Sequence, residues 1–128
     1  MKTVIPGNTQ VLLVTDDEHE KEMTSFMLSC GGFHTQIALT SERALMHAAR
    51  SRFDVVIIDM GSRQYDGVDL AQRLALTLDF SASSLIAINA PDNTETRSKL
   101  TGLGCRSFVD ATETDQLCSI IRTQARAM

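Results

Sequence analysis

The chain has 128 residues, the size of a single domain and enough to bury a core, so the sequence asks for no second folding unit. Hydrophobic residues make up 43% and charged residues 22%, which excludes the disordered and fibrous classes. A formal net charge of -4 argues against binding nucleic acid through its phosphates, because that affinity comes from clustered Lys and Arg.

Residues 1–9 read as a lead-in, since Pro6 and Gly7 stop the opening apolar stretch far short of a signal-peptide core. Residues 10–15, rich in Val and Leu and ending at Asp16-Asp17, have the pattern of a strand buried on both faces. From Glu18 the spacing turns helical, with Met23, Phe26, Met27 and Cys30 as the apolar stripe and Gly31-Gly32 as the break. A weakly alternating strand is expected over residues 33–39. Thr40 or Ser41 then caps a helix with Leu45, Ala48 and Ala49 inward.

Residues 54–59 give the clearest strand, a branched run, Val55-Val56-Ile57-Ile58, closed by the single acid Asp59. A polar segment over residues 60–67 leads to a helix facing inward with Leu70, Leu74 and Leu78. Residues 85–88 form strand four, and Pro91-Asp92-Asn93 opens a helix with Leu100 and Leu103 on its buried side and Gly104 at its end. Strand five is expected over residues 107–109. The last helix turns Leu117, Ile120, Ile121 and Ala125 inward and carries Arg122 and Arg126 near its negative end.

Five strands alternating with five helices predict an α/β fold, a doubly wound five-stranded parallel sheet of flavodoxin-like (βα)5 type in the order 2-1-3-4-5. The site of such a sheet lies beyond the carboxyl ends of the strands where the winding reverses, here between strands one and three. Asp16, Asp17 and Asp59 stand at those ends.

Three carboxylates at one rim repel one another unless a proton or a cation neutralises them. Mg²⁺ takes one or two carboxylates with water and phosphate, so Asp17, Asp59 and the Gly61 carbonyl are expected as its protein ligands, with Asp16 acting through water. With the cation keeping Asp59 ionised, that carboxylate becomes a nucleophile for a phosphoryl group. Each acid taken alone reads more simply as a helix or turn cap, and it is their joint placement that points to a site.

The segments VLLVTDDE at 11–18, DVVIIDM at 54–60 and DG at 66–67 resemble a response-regulator receiver domain of two-component signalling, over residues 10–128. The resemblance implies phosphorylation of Asp59 by a histidine kinase or a histidine phosphotransfer protein, with Asp16 and Asp17 binding Mg²⁺. It also implies a switch aromatic at Phe108, which reads equally well as an ordinary core residue. A homodimer through the face of helix four, strand five and helix five belongs to the same expectation.

The departures from the family pattern are specific. Asn89 stands where the family has Thr or Ser, Ala111 where it has Lys, and Ser62-Arg63 where it has Met-Pro, which leaves Arg63 as a substitute cation for the phosphate. An ammonium beside an acyl phosphate contributes about 1.5 to 3 kcal/mol, so its absence at Ala111 predicts weakened or rewired signalling.

The leading expectation is therefore a phosphorelay receiver, a cytoplasmic protein-interaction switch and not an enzyme. The alternative is a pseudo-receiver that docks partners without being phosphorylated. A phosphatase turning over external substrates is disfavoured, because the chain has no residues left for a cap or a second acid-base group. Neither a membrane span nor direct nucleic-acid contact is expected. Cys30, Cys105 and Cys118 are odd in number and without ligand spacing, which reads as reduced, buried thiols. The six Met read as core filler, and His19, His34 and His47 receive no role.

Overall fold

Branched and aliphatic residues in five-residue runs build the sheet: β1 (Gln10–Val14), β2 (His34–Ala38), β3 (Val55–Asp59), β4 (Ser84–Ile88) and β5 (Cys105–Val109). Between and after them run α1 (Glu18–Cys30), α2 (Ser41–Arg50), α3 (Gly67–Thr77), α4 (Thr94–Gly102) and α5 (Leu117–Ala127). The computed structural model describes residues 9–78, 84–110 and 115–127, with side chains as far as Thr123 in the last helix. All five strands are parallel, in the order β2-β1-β3-β4-β5 that the sequence predicts. Every residue of β3 and β4 is buried, which is why the four-residue branched run in β3 carries no polar alternation.

The sheet separates two cores. Leu12, Val14, Val56, Ile58, Leu85 and Ala87 meet α2, α3 and α4 through Ala44, Ala48, Leu70, Leu74 and Leu100. Val11, Leu13, Val55, Ile57, Ile86 and Ile88 meet α1 and α5 through Leu28, Leu117 and Ile121. The alternation of side chains along each strand assigns successive residues to opposite cores.

Helix ends follow local chemistry. Thr40 caps α2 by accepting from the Arg43 N–H at 3.1 Å, and Asn93 caps α4 through the Glu95 N–H at 2.9 Å. Gly32 (φ 85°) and Gly104 (φ 105°) take the left-handed turns that follow α1 and α4, where a side chain would be strained.

Several expectations are corrected. The α1 stripe is not the one the apolar spacing suggests: Glu20, Thr24 and Leu28 are buried, whereas Met23 is 47% and Phe26 69% exposed. Met23 is therefore not core filler, and Cys30 is exposed while Cys105 is buried and Cys118 half-buried. In α2 the buried pair is Ala44 and Ala48, with Leu45 packed partly against it and Ala49 exposed. Strand five begins two residues early, at Cys105. Arg122 serves a different helix from its own: its Nη2 donates to the Gly31 carbonyl at the end of α1 (3.1 Å), and its guanidinium lies 5.4 Å from the Phe33 ring centroid. The expected roles of Ala125 and Arg126 rest on side chains outside those described. Among the described residues, no helix is long and apolar enough to cross a membrane.

Candidate functional site

The register of the central strands decides which side chains meet. Val14 lies opposite Ile58 and Asp59 opposite Ile88, so Thr15, the residue directly after β1, comes level with Asp59, and Asn89 follows directly after the partner of Asp59. The carboxyl ends of β1, β3 and β4 stay pinned one residue past the strands: the Thr15 N–H donates to the Ala38 carbonyl (3.1 Å), the Met60 N–H to Ile88 (2.8 Å) and the Asn89 N–H to Val109 (3.0 Å).

Asp59 is only 3% exposed, and a carboxylate in that position needs hydrogen bonds to offset its lost hydration. Three donors supply them. Oδ1 accepts from the Gly61 N–H at 2.9 Å and from the Asn89 amide at 3.1 Å, and Oδ2 accepts from the Thr15 hydroxyl at 2.8 Å. Thr15 Oγ1 accepts in turn from the Asp17 N–H at 3.1 Å, tying the two acid-bearing loops together. A Cβ on residue 61 would lie 3.3 Å from Asp59 Oδ1 and 3.5 Å from the Asn89 Cβ, so glycine there leaves the carboxylate its room. Asn89 is the one non-glycine residue with positive φ (57°) among those described, a conformation that asparagine tolerates better than most.

These groups border a cavity of about 440 Å³ lined by Asp16, Asp17, Asp59, Gly61, Ser62, Arg63, Gln64 and Asn89. The four metal-site residues expected from sequence, together with Asn89, thus come to one pocket, and Arg63 joins them there. Asp17 also serves the simpler role weighed for it, since its Oδ1 accepts the Glu20 N–H at 2.8 Å and caps α1. Asp66 caps α3 through the Val68 and Asp69 N–H groups (3.0 and 3.2 Å), and a side chain on Gly67 would collide with the Met60 thioether. Asp66-Gly67 is accordingly a helix start and does not line the pocket. Phe108 lies away from the pocket, half-buried, with the Arg97 guanidinium 4.8 Å above its ring centroid. Ala111 lies outside the described residues.

Two residues at the site went unread in the sequence. Thr15 is one, although a hydroxyl at the end of an otherwise apolar buried run was a legible signal. Tyr65 is the other: its hydroxyl reaches the main-chain carbonyls of Asp59 (2.7 Å) and Val14 (3.1 Å), clamping the ends of β3 and β1. Burial raises its pKa, and the charges of Asp59 and Asp16 add to that, so the phenol stays neutral. Behind the pocket, Glu20 is buried and takes a hydrogen bond from the Thr24 hydroxyl (3.0 Å). Burial is the main cause that pushes its carboxyl upward, followed among the raising causes by the charges of Asp59 and Asp17, while the Thr24 bond and His19 pull it down.

Among the described residues, no three His, Cys, Asp or Glu are grouped so as to hold a metal ion by themselves. The lining does supply hard oxygen donors from Asp16, Asp17 and Asp59 beside Gly61, a set suited to a cation such as Mg²⁺ that keeps several of its own waters.

No family model matches the chain. Solved structures do. A CheY-like response-regulator receiver domain protein from Methanospirillum hungatei JF-1 superposes with a TM-score of 0.83 at 17% identity, covering 93% of this chain and 94% of that one. The chain has the receiver-domain fold. The chemotaxis protein CheY4 of Vibrio cholerae gives a TM-score of 0.77 at 20% identity over 94% of this chain and 98% of its own. A response regulator from Burkholderia pseudomallei gives 0.79 at 15% identity over 94% and 70%, and that structure contains a phosphorylated aspartic acid, a calcium ion and citrate. On the receiver fold of this chain, the acid-lined pocket occupies the crevice outside the carboxyl ends of β1 and β3, where the sheet's winding reverses.

Proposed function

We propose that the chain is a phosphoacceptor receiver module that takes a phosphoryl group onto Asp59 from a histidine kinase or histidine phosphotransfer protein and signals through a protein-interaction face. The observation that carries this reading is the Asp59 carboxylate, held at the wall of a pocket with two other acids and with two pocket donors on one of its oxygens.

In the transfer, an Asp59 Oδ1 lone pair forms the new O–P bond as the donor's bond to phosphorus breaks, and the donor group leaves with that electron pair. The Gly61 N–H and the Asn89 amide, which satisfy Oδ1 beforehand, can pass to the oxygens of the arriving phosphoryl group without leaving the pocket. Arg63 offers positive charge at the same wall, in place of the Lys missing at Ala111. Asp16, Asp17, Asp59 and the Gly61 carbonyl would hold Mg²⁺, which supplies neutralisation of the gathered negative charge. Phe108, under Arg97 on the α4–β5 face, is the proposed relay to the partner surface.

A second reading, docking without phosphorylation, draws on the same carboxylate: both lone pairs of Oδ1 are already taken, and Asn89 and Ala111 replace the hydroxyl and ammonium of the family pattern. Incubation with acetyl phosphate and Mg²⁺ followed by intact mass measurement separates the two. One added phosphoryl group on the wild type and none on Asp59→Asn is the expected result. An unchanged wild-type mass supports docking instead.

A further inference from the structure

The two oxygens of Asp59 face different surroundings. Oδ1 meets Gly61 and Asn89, both on the pocket wall, whereas Oδ2 is tied to Thr15, which is fully buried at the end of β1 and takes no part in the lining. With its two donors on the pocket wall free to pass to the phosphoryl oxygens, Oδ1 is assigned as the oxygen that forms the bond to phosphorus, and Oδ2 as the carbonyl oxygen of the acyl phosphate. We propose that Thr15 is a positioning residue that shortens the life of the phosphorylated state, by holding a hydrogen bond on Oδ2 that is strong to the free carboxylate and weak to the acyl phosphate. The inference rests on Asp59 being the phosphoacceptor.

The physical basis is the change in charge at the acceptor. In free Asp59 the negative charge is shared by both oxygens, so the Thr15 hydroxyl makes a charge-assisted bond, about twice as strong as one to a neutral carbonyl. Phosphorylation at Oδ1 leaves Oδ2 neutral and weakens that bond. In hydrolysis, water oxygen bonds to phosphorus, the Oδ1–P bond breaks, and its electron pair returns to the carboxylate while the water proton passes to phosphate or solvent. As charge flows back onto Oδ2, the Thr15 bond regains its strength, so it stabilises the leaving carboxylate in the transition state. Thr15 is itself fixed for this task, because its Oγ1 accepts the Asp17 N–H and its own N–H is bound to Ala38, leaving the hydroxyl proton for Asp59.

The test compares wild type, Thr15→Val and Thr15→Ser. Each is loaded with acetyl phosphate and Mg²⁺ and freed of donor, and its phosphorylated fraction is followed by intact mass, with circular dichroism to verify folding. Thr15→Ala replaces the valine variant should that one fail to fold. Loss of the hydroxyl is expected to slow decay by about three- to tenfold and to raise the phosphorylated fraction at a fixed donor concentration. Thr15→Ser is expected to restore the wild-type rate, which a merely volumetric role for Thr15 would not produce. Equal decay in all variants, or faster decay without the hydroxyl, overturns the role of Thr15 and leaves Asp59 as acceptor. No added mass on any variant overturns the acceptor reading and this inference with it.

Discussion

Helices α1 and α3 follow the two strands that bear the acids, and both begin on an aspartate cap, Asp17 and Asp66, yet they bury opposite kinds of face. α3 turns Leu70, Ala71 and Leu74 inward, as its sequence pattern demands. α1 buries Glu20 and Thr24 ahead of Leu28 and leaves Met23 and Phe26 to solvent. The difference comes from what each helix covers. A helix after a parallel strand starts at the strand's carboxyl end, and there α1 lies on the side of the sheet to which Thr15 and Asp59 point. Its first turn faces a hydroxyl and a carboxylate, and only its far end meets the apolar residues of the core. The apolar face of α3 meets Val56, Ile58 and the helices beside it.

The comparison is most sharply tested at the buried face of α3. Leu74→Ala removes a fully buried side chain from a close-packed cluster and is expected to cost about 2 to 5 kcal/mol of stability, read from urea unfolding. A cost under about 1 kcal/mol would mean that α3 is no better packed than α1.

Next in size is Glu20→Gln, which keeps an acceptor for Thr24 and removes the charge. Because folding raises the Glu20 carboxyl above its ordinary 4.5, its favourable contribution is complete below that pH and is lost as pH rises through the folded value. The glutamine variant is therefore expected to be more stable than wild type at pH 7.5, with the gap closing toward pH 4.5. Urea midpoints measured across that range give the answer, and a pH-independent gap would count against the burial of a charge beneath α1.

The smallest effect belongs to the solvent face. Phe26→Ala, which in a core would cost about 3 to 5 kcal/mol, is expected to change stability by no more than about 0.5 kcal/mol. A large loss would place Phe26 inside and restore the stripe that the sequence suggested.

Much of the fold was legible because its signals are local. The branched run before Asp59, the helix starts at Thr40 or Ser41 and over Pro91-Asp92-Asn93, and the breaks at Gly31-Gly32 and Gly104 each depend on residues within a few positions of one another, and the structure narrows the caps to Thr40 and Asn93. The acids of the pocket were legible too, since a strand-ending Asp is marked by the apolar run before it. The α1 stripe failed because Met23, Phe26, Met27 and Cys30 satisfy the helical period as well as any buried set, and periodicity does not say which face meets the sheet. Cys30 was misplaced for the same reason. Tyr65 gave no pattern, because its two partners are main-chain carbonyls on different strands.

Sequence by itself determined the alternation of five strands with five helices and the placing of Asp16, Asp17 and Asp59 at strand ends, because apolar periodicity and helix punctuation are properties of neighbouring residues; the order of the sheet was expected from the doubly wound fold type, and strand pairing bears it out. Tertiary structure alone decided that Thr15 comes level with Asp59, that Asn89 donates to the same oxygen as Gly61, and that Glu20 lies buried behind the acids. Those contacts span as many as 44 residues of chain and depend on strand register, which is set when both faces of the sheet are packed.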